Sequence, residues 1–335
     1  MKVSIALCTY NSEKFISEQM DSLLSQTVLP DEIVISDDGS TDHTLDIIRS
    51  YQTNHKSLIK ILNHPGHLGV FKNFPYALDH CEGDIIFPCD HDDVWMNDKI
   101  EKHLKAHLEH NDAILVYSNA DVVYMTPDHY LYPLWEPKSI LDDVNGQASY
   151  NSLVYKGHSI AGCCMSFQKK HYQSIVPFPD QIYHDDWLAT TAVIKGKIVG
   201  IPESLIKYRQ HGENTVGIIR GSRLSFYKSL FTNVKFYVES DQYITKRHEL
   251  IFKALEEHKI TSKSSNQELK ACFELYQDRS LYLKRSLSET FVRLTKHWLN
   301  KDYRYHHGFW TYLKDLYNAL FMKLLVRTES SSGNA

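Results

Sequence analysis

The chain has 335 residues, of which 42% are hydrophobic and 23% charged, a composition typical of a globular protein with room for one large domain and a smaller one. Its formal net charge of -4 argues against a general nucleic-acid binder, because affinity for a phosphate backbone requires a clear excess of lysine and arginine. We see no signal peptide and no run approaching about 18 apolar residues, so we expect a cytoplasmic protein.

Strands and helices alternate through the first third of the chain. The sequence predicts strands at Val3–Cys8, Glu32–Ser36, Ile59–Leu62, Ile85–Cys89 and Ile114–Tyr117. Helical spacing of apolar residues predicts a helix capped by Asn11 or Ser12, a second around Leu45–Ile48, and others at Gly69–His80 and Ile100–His110. This alternation indicates an α/β protein with a parallel sheet and helices on both faces.

Polar clusters follow three of these strands. They are Thr9-Tyr10-Asn11, Asp37-Asp38 and Asp90-His91-Asp92-Asp93. Ligands of parallel sheets bind beyond the carboxyl ends of the strands, so we expect the three clusters to meet at one edge. Closely packed carboxylates repel one another, and such a cluster usually holds a divalent cation whose natural second ligand is a polyphosphate. The chemistry indicated is nucleotide-dependent.

The remainder of the chain has a different character. From about residue 120 to 215 the alternation weakens, and Tyr, Trp, Pro and Gly become frequent, as expected of loops and mixed strands that shape a substrate pocket. After Gly221, three long segments rich in Leu, Phe, Tyr, Lys and Glu predict a helical appendage of three or four helices. These segments are 222–256, 266–299 and 303–326.

Four motifs in order resemble glycosyltransferase family 2, and most closely its bacterial rhamnosyltransferase-like branch. The motifs are Ser4–Asn11, Ser25–Thr27, Glu32–Asp42 and Asp90–Trp95, within a resemblance that covers roughly residues 1–215. The branch builds capsule, cell-wall and O-antigen polysaccharides. The resemblance implies a Rossmann-like, mostly parallel sheet of the glycosyltransferase A type, a nucleotide-sugar donor, and inversion at the anomeric carbon.

The resemblance also implies a domain organisation. We expect a catalytic domain at 1–217, with a nucleotide-binding half at 1–118 and an acceptor and sugar half at 119–217. A helical C-terminal region at 218–327 and a disordered tail at 328–335 would follow.

The resemblance assigns most of the donor site. Residues expected to contact the nucleotide are Thr9, Tyr10, Asn11, Asp37, Asp38 and Asp90. Asp92 is expected to bind Mn²⁺ or Mg²⁺ bridging the diphosphate, and Asp93 to cap a helix. Asp37 and Asp38 are also typical of a type I turn that caps a helix, and the turn and nucleotide roles are compatible.

The segment Tyr183–Ala189 resembles the part of the family that carries the general base. We expect Asp185 to take the proton of the acceptor hydroxyl as its oxygen attacks C1 from the side opposite the diphosphate. Asp186 is the rival within the segment. A plain helix cap made by the two acids is the structural alternative.

Two later motifs complete the expected site. Tyr208–Asn214 resembles a motif after the last strand, in which His211 would close the metal shell and Arg209 would hold a phosphate instead or in addition. Lys156–Met165 resembles a loop beneath the donor sugar, where Gly162 lets the backbone approach the hexose. We expect the six cysteines of the chain, including Cys163, to be reduced, buried apolar side chains.

Together these features predict a non-processive inverting glycosyltransferase. It would move a sugar from a UDP- or dTDP-sugar, such as dTDP-rhamnose or a UDP-hexose, to a glycan or lipid-linked saccharide acceptor. The Gln-x-x-Arg-Trp motif of processive members is absent. The alternative is a metal-dependent nucleotidyltransferase or a non-catalytic nucleotide-binding protein, although Thr9–Glu13 lacks the glycine-rich, basic loop that a nucleotidyltransferase needs.

An apolar helical face is predicted over 310–324. It fits peripheral contact with the inner membrane, where a lipid-linked acceptor resides. It fits equally packing on the catalytic domain or a homodimer formed through the C-terminal helices, and periodicity does not separate these interpretations.

Overall fold

The structure is a computed structural model that describes residues 1–63, 66–125, 131–134, 160–211, 234–260, 271, 274–279, 281, 285–300, 312 and 315–316. Its contacts divide the chain into two compact units. The first contains Met1–Tyr150 and Ser159–Gly217, and the second contains Asn151–His158 and Ile218–Ala335. All predicted site residues belong to the first unit. Most of the predicted 310–324 helix and all of the 328–335 tail lie outside the described residues.

Nine strands of the first unit form one sheet. They are β1 (Val3–Thr9), β2 (Glu32–Asp37), β3 (Ile59–Ile61), β4 (Ile85–Cys89), β5 (Val94–Trp95), β6 (Ala113–Tyr124), β7 (Leu131–Pro133), β8 (Met165–Gln168) and β9 (Lys197–Gln210). Its described helices are α1 (Ile16–Leu24), α2 (Thr44–Asn54), α3 (Val70–Asp79), α4 (Lys99–Glu109), α5 (Lys169–Gln173) and α6 (His184–Lys195). A single 3₁₀ turn, Gly162–Cys164, precedes β8.

The sheet has the order β3-β2-β1-β4-β8-β6-β9-β5, and β7 pairs with β6. The strands β3, β2, β1 and β4 pair in parallel, as do β6 and β9, whereas β5, β7 and β8 are antiparallel to their partners. The expected α/β sheet flanked by helices is therefore confirmed, and the sheet is mixed, with four parallel and four antiparallel strand pairings. One feature differs from simple alternation, because the short antiparallel strand β8 separates β4 from β6.

The central strands end where their apolar runs end. Every residue of β1 and of β4 is buried, as expected for parallel strands covered on both faces. At the carboxyl ends, β1 finishes on Thr9, β2 finishes on Asp37, and Asp90 follows β4 directly. The two parallel pairings of β1, with β2 and with β4, bring these polar ends to the same edge of the sheet.

The predicted cap of the first helix was wrong. The structure begins α1 at Ile16, where the N-cap residue is Phe15 and no side chain caps the helix. The carbonyl of Ser12 instead accepts the amides of Phe15 and Ile16, both at 2.9 Å, in a turn that leads into the helix. The side chain of Asn11 is used elsewhere, since its Oδ1 accepts the amide of Thr41 at 2.9 Å.

The second unit contains the helices α7 (Val234–Glu257) and α8 (Leu287–Leu299). A capping box starts α8, in which Ser286 and Glu289 exchange side-chain and backbone hydrogen bonds. The carboxylate of Asp278 accepts from His297, Arg285 and Arg293, and these partners lower its pKa to about 2 despite its burial. Among the helices of the described residues, none has the length and apolar character needed to span a bilayer.

Candidate active site

Asp37 organises the turn that follows β2. Its Oδ2 accepts the hydroxyl of Thr9 at 2.7 Å and that of Ser40 at 2.6 Å. Its Oδ1 accepts the amides of Ser40 and Gly39, and Gly39 has a φ of +86°, which suits glycine. The turn role weighed in the sequence is therefore present. The contact of Asp37 with a nucleotide stays a prediction.

Asp38 fixes the loop that enters α3. Its Oδ1 accepts the amide of Leu68 at 2.5 Å, and its Oδ2 accepts that of Gly69 at 2.9 Å. The imidazole Nδ1 of His67 lies 3.0 Å from the same carboxylate. These contacts hold the loop of residues 67–69 at the site. The sequence did not predict this role, because only the glycines in and beside the loop distinguish it from other loops.

The residues of the first loop have different surroundings. Thr9 is buried, whereas Tyr10 is 46% exposed and its ring centroid lies 5.1 Å from that of His67. Asn11 has a φ of +45°, a left-handed conformation that asparagine tolerates better than most residues. The pair Tyr10 and His67 offers flat ring surface of the kind against which a nucleobase can stack.

Asp92 and His211, the two predicted metal ligands, lie side by side. The Nε2 of His211 is 3.0 Å from Oδ2 of Asp92. The His211 ring also stacks on Phe15, with ring centroids 4.5 Å apart. A carboxylate beside an imidazole is a donor pair that divalent cations accept.

The carboxylates of Asp90 and Asp93 lie close to a thiol. One ligand atom from each and the Sγ of Cys163 all lie within 4.8 Å of one another. The expected capping role of Asp93 was wrong, because α4 begins only at Lys99 and Asp93 is fully buried. Its Oδ1 accepts the amide of Arg209 at 3.2 Å.

Electrostatics at this cluster favour a bound cation. Burial raises the pKa of Asp93 to about 7, and the charge of Asp92 adds to the rise. Burial also raises the pKa of Asp90 well above its usual value, followed by the charges of Asp93, Asp92 and Asp185. Oδ2 of Asp93 is buried and has no hydrogen-bond partner within the described part of the chain. A divalent cation would compensate these charges, so the residues fit the metal that the family implies.

Arg209 holds the acidic loop in place. Its Nε donates to the carbonyl oxygen of Asp92, its Nη2 to that of Asp93 at 3.0 Å, and its Nη1 to Oε2 of Glu18 at 2.5 Å. The Arg209 side chain is only 7% exposed. These contacts show that Arg209 positions the acidic loop. Its ion pair with Glu18 was not predicted from the sequence. A contact with a donor phosphate stays a prediction.

The first turn of α6 carries the two candidate bases. Asp185 is half-buried, and its Oδ1 accepts the amide of Asp186 at 2.8 Å. The charge of Asp185 is among the smaller contributions to the raised pKa of Asp90, after burial and the charges of Asp93 and Asp92. Asp186 is buried, and its charge acts on His184.

Gly162 is required by a neighbouring imidazole. A Cβ at this position would lie 2.4 Å from Nε2 of His184. The His184 ring stacks on Phe74 with centroids 3.7 Å apart, and burial lowers its pKa to about 3, so the ring is neutral. The close approach predicted for Gly162 therefore exists, but toward a side chain of the protein. The contact with the donor sugar stays a prediction.

Lys99 supports the turn that carries Gly162 and Cys163. Although fully buried, its Nζ lies 3.7 Å from the ring centroid of Trp95 and donates to the carbonyl oxygen of Cys163. Nothing in the sequence distinguished this lysine from others at the start of a helix. Its environment became apparent only in the folded chain.

The sheet and its acidic edge define a protein of the glycosyltransferase A-type fold. TarS 1–349 of S. aureus, solved in complex with UDP, superposes with a TM-score of 0.57 at 18% identity, covering 98% of this chain and 92% of that chain. GalNAc-T7, solved with UDP, GalNAc and Mn²⁺, gives 0.54 at 14% identity, covering 80% and 56%. At these identities the likeness establishes the fold.

Residues 4–176 match the family model described as glycosyl transferase family 2, and the chain belongs to that family. The dTDP-rhamnosyl transferase RfbG of Shigella flexneri is 30% identical over 225 residues, 63% of this chain and 73% of that protein. The uncharacterized protein Rv1520 of Mycobacterium tuberculosis is 28% identical over 217 residues, 62% of this chain and 59% of the relative. The match thus spans about three fifths of Rv1520. The family resemblance drawn from the four motifs is confirmed.

Proposed function

We propose that the protein is a non-processive inverting glycosyltransferase that moves a sugar from a nucleoside-diphosphate sugar to a glycan or lipid-linked acceptor. The observation that carries this proposal is the contact of Asp92, in the acidic loop after β4, with His211 at 3.0 Å. It joins the two predicted metal ligands where a nucleoside-diphosphate donor would need a cation. Transfer to an acceptor also needs a base, for which Asp185 in the first turn of α6 is the candidate.

The expected contacts with the base, the ribose and the metal come from three loops. Thr9, Tyr10 and Asn11 would contact base and ribose, with Asp37 and Asp38 shaping that pocket. Asp90 would reach the ribose or the metal, while Asp92 and His211 would hold Mn²⁺ or Mg²⁺. The cation, when bound, neutralises charge that grows on the departing nucleoside diphosphate.

Asp185 is the better of the two candidate bases. Its carboxylate is half-buried and therefore accessible to an acceptor, whereas Asp186 is buried and its charge acts on His184. Asp185 would remove the proton of the acceptor hydroxyl as the oxygen attacks C1. One carboxylate suffices because the leaving group departs as a diphosphate, unlike the alkoxide of a glycosidase that needs an acid as well.

The family relatives guide the choice of donor. RfbG is named a dTDP-rhamnosyl transferase and is 30% identical to this chain, so dTDP-rhamnose is the first donor to test. UDP-hexoses and their N-acetyl forms are the second group. The product would belong to a bacterial surface polysaccharide such as capsule or cell wall, made in the cytoplasm or at the cytoplasmic face of the inner membrane.

The test is a panel of dTDP- and UDP-sugars incubated with the full chain and Mn²⁺ or Mg²⁺, with release of the nucleoside diphosphate as readout. We expect turnover of one donor that EDTA abolishes. Asp92→Ala and Asp185→Ala should both lose turnover. If both variants kept near-normal turnover with metal present, the proposed mechanism would be wrong.

A further inference from the structure

The thiol of Cys163 occupies an unusual position for a buried cysteine. It is 1% exposed, and its Sγ lies within 4.8 Å of ligand atoms of both Asp90 and Asp93. The structure describes five cysteines, all free and buried, and within the described chain Cys163 is the one grouped with two acids in this way. These five cysteines are reduced and buried, as expected, and the Cys163 thiol in addition interacts with the carboxylates of Asp90 and Asp93.

The cluster also contains an unsatisfied acceptor. Asp93 is fully buried, and its Oδ2 finds no hydrogen-bond partner among the described residues. A buried polar oxygen without a partner is costly. The nearby cations have other partners, since Lys99 donates to the carbonyl oxygen of Cys163 and Arg209 donates to the carbonyl oxygens of Asp92 and Asp93. A cation held by the side chains themselves would satisfy this oxygen.

We propose that Asp90, Asp93 and Cys163 together ligate a divalent cation through a thiolate, separately from the Mn²⁺ or Mg²⁺ assigned to Asp92 and His211. Thiolates favour softer and borderline cations such as Zn²⁺ and Co²⁺, whereas Mg²⁺ prefers oxygen ligands in octahedral geometry. The site therefore discriminates against Mg²⁺, and Mn²⁺ binds less tightly than Co²⁺. The use of this cation in catalysis rests on the proposed function, but its binding does not.

Co²⁺ is the probe that reports the thiolate directly. We expect the full chain to show a near-ultraviolet thiolate-to-Co²⁺ charge-transfer band on titration with Co²⁺. Cys163→Ser should abolish the band and weaken Co²⁺ binding by roughly tenfold or more, the scale on which metal sites respond to a lost partner. Mg²⁺ binding should change by less than about twofold, since Mg²⁺ gains little from a thiolate.

Cys81→Ser is the matched control, because Cys81 is a buried free cysteine outside the cluster. It should keep the band. A wild-type chain without the band overturns the proposal, whether or not the variants fold, and so does a band that persists in a folded Cys163→Ser or Cys163→Ala variant. Co²⁺ held only by Asp92 and His211 would give no thiolate band and would count against it.

The donor panel separates this proposal from the proposed function. A thiolate band without turnover of any nucleotide sugar would support the cation site and count against the transferase. Turnover of a nucleotide sugar without the thiolate band would support the transferase and overturn the thiolate site.

Discussion

Asp92 and Asp93 are adjacent in the sequence, yet their carboxylates have different partners. Asp92 lies 3.0 Å from the imidazole of His211, whereas Asp93 is fully buried and accepts the amide of Arg209. Burial raises the pKa of Asp93 to about 7. Identical side chains at neighbouring positions thus acquire different chemistry. Asp93 meets Arg209, which lies on β9, whereas Asp92 meets His211, which follows that strand.

Asp185→Asn tests the base assignment. The amide cannot accept the acceptor proton, so we expect the kcat of transfer to fall by about 10²- to 10⁴-fold, while the donor KM changes by less than about twofold. Steady-state kinetics with the donor found in the panel provide the measurement. Asp186→Asn is the control and should retain most activity; a larger loss in that variant would reverse the assignment.

Asp92→Asn tests the metal assignment. The substitution removes a charged ligand, so we expect the metal concentration required for half-maximal activity to rise by about 10-fold or more, and donor binding to weaken with it. Isothermal titration with metal and with donor measures both effects. His211→Gln should show a smaller shift in the same direction. Unchanged metal dependence in both variants would contradict the assignment.

At the scale of secondary-structure elements, Arg209 joins three parts of the first unit. It belongs to β9, its guanidinium reaches Glu18 on α1, and it donates to two carbonyls of the loop between β4 and β5. The short strand β5 pairs with β9 just beyond that loop. The position of the acidic loop therefore depends on β9, which is the last strand of the unit in sequence.

Arg209→Met tests this connection. The variant keeps much of the side-chain volume but loses the charged donor, so we expect the free energy of unfolding to fall by about 2–3 kcal/mol. Urea unfolding measures the change. Glu18→Gln is the control, and because the Glu18 side chain is 64% exposed we expect a loss under about 1 kcal/mol. Equal losses in the two variants would place the stabilisation in the ion pair.

Gly162→Ala tests the contact between the 3₁₀ turn and α6. The added methyl would lie 2.4 Å from Nε2 of a His184 ring that is stacked on Phe74, so we expect a loss of about 1–3 kcal/mol in unfolding free energy. Thermal and urea unfolding provide the measurement.

Gly196→Ala is the matched control for this substitution. Its Cβ would also meet an atom at 2.4 Å, but that atom is the terminal Cδ1 of Ile114, which can rotate away. We expect a loss of no more than about 1 kcal/mol there. If Gly162→Ala cost no more than this control, the His184 contact would not constrain the turn.

At the scale of the whole molecule, helices of the first unit carry several buried histidines. Burial lowers the pKa of His107 and of His171 to about 4, and that of His184 to about 3. In the unfolded chain these groups titrate near pH 6.5. Below that pH the unfolded chain binds protons that the folded chain excludes, so their contribution to stability is present above about pH 6.5 and is lost as the pH falls toward 4.

The acid dependence of stability can be tested with His171→Gln. Between pH 7 and pH 5, one histidine with this shift should cost about 2 kcal/mol of unfolding free energy. We expect the variant to lose about that much less than the wild type over the same range, as measured by urea unfolding at each pH. The raised pKa of Asp93 makes stability rise as the pH falls toward 5, but this effect is the same in the wild type and in His171→Gln, so it does not alter their difference. Parallel pH profiles would contradict the prediction.

The class of fold and the edge on which the site forms follow from local features of the sequence. Apolar runs such as Val3–Cys8 and Ile85–Cys89 have to be buried on both faces, and polar residues directly after them have to lie at the strand ends. These are local properties, because hydrophobic periodicity can be recognised from a few consecutive residues and the order of elements follows from it. The four motifs placed in that order then indicated the family.

Which acids share which neighbours depends on contacts between distant parts of the chain. Asp92 meets His211 across 119 residues of chain, and Arg209 reaches Asp93 across 116. The insertion of β8 between β4 and β6 follows the 3₁₀ turn that includes Cys163. Contacts of this range depend on how strands pair and not on any local pattern, so the roles of Asp93, Gly162 and Cys163 emerged only once the sheet was assembled.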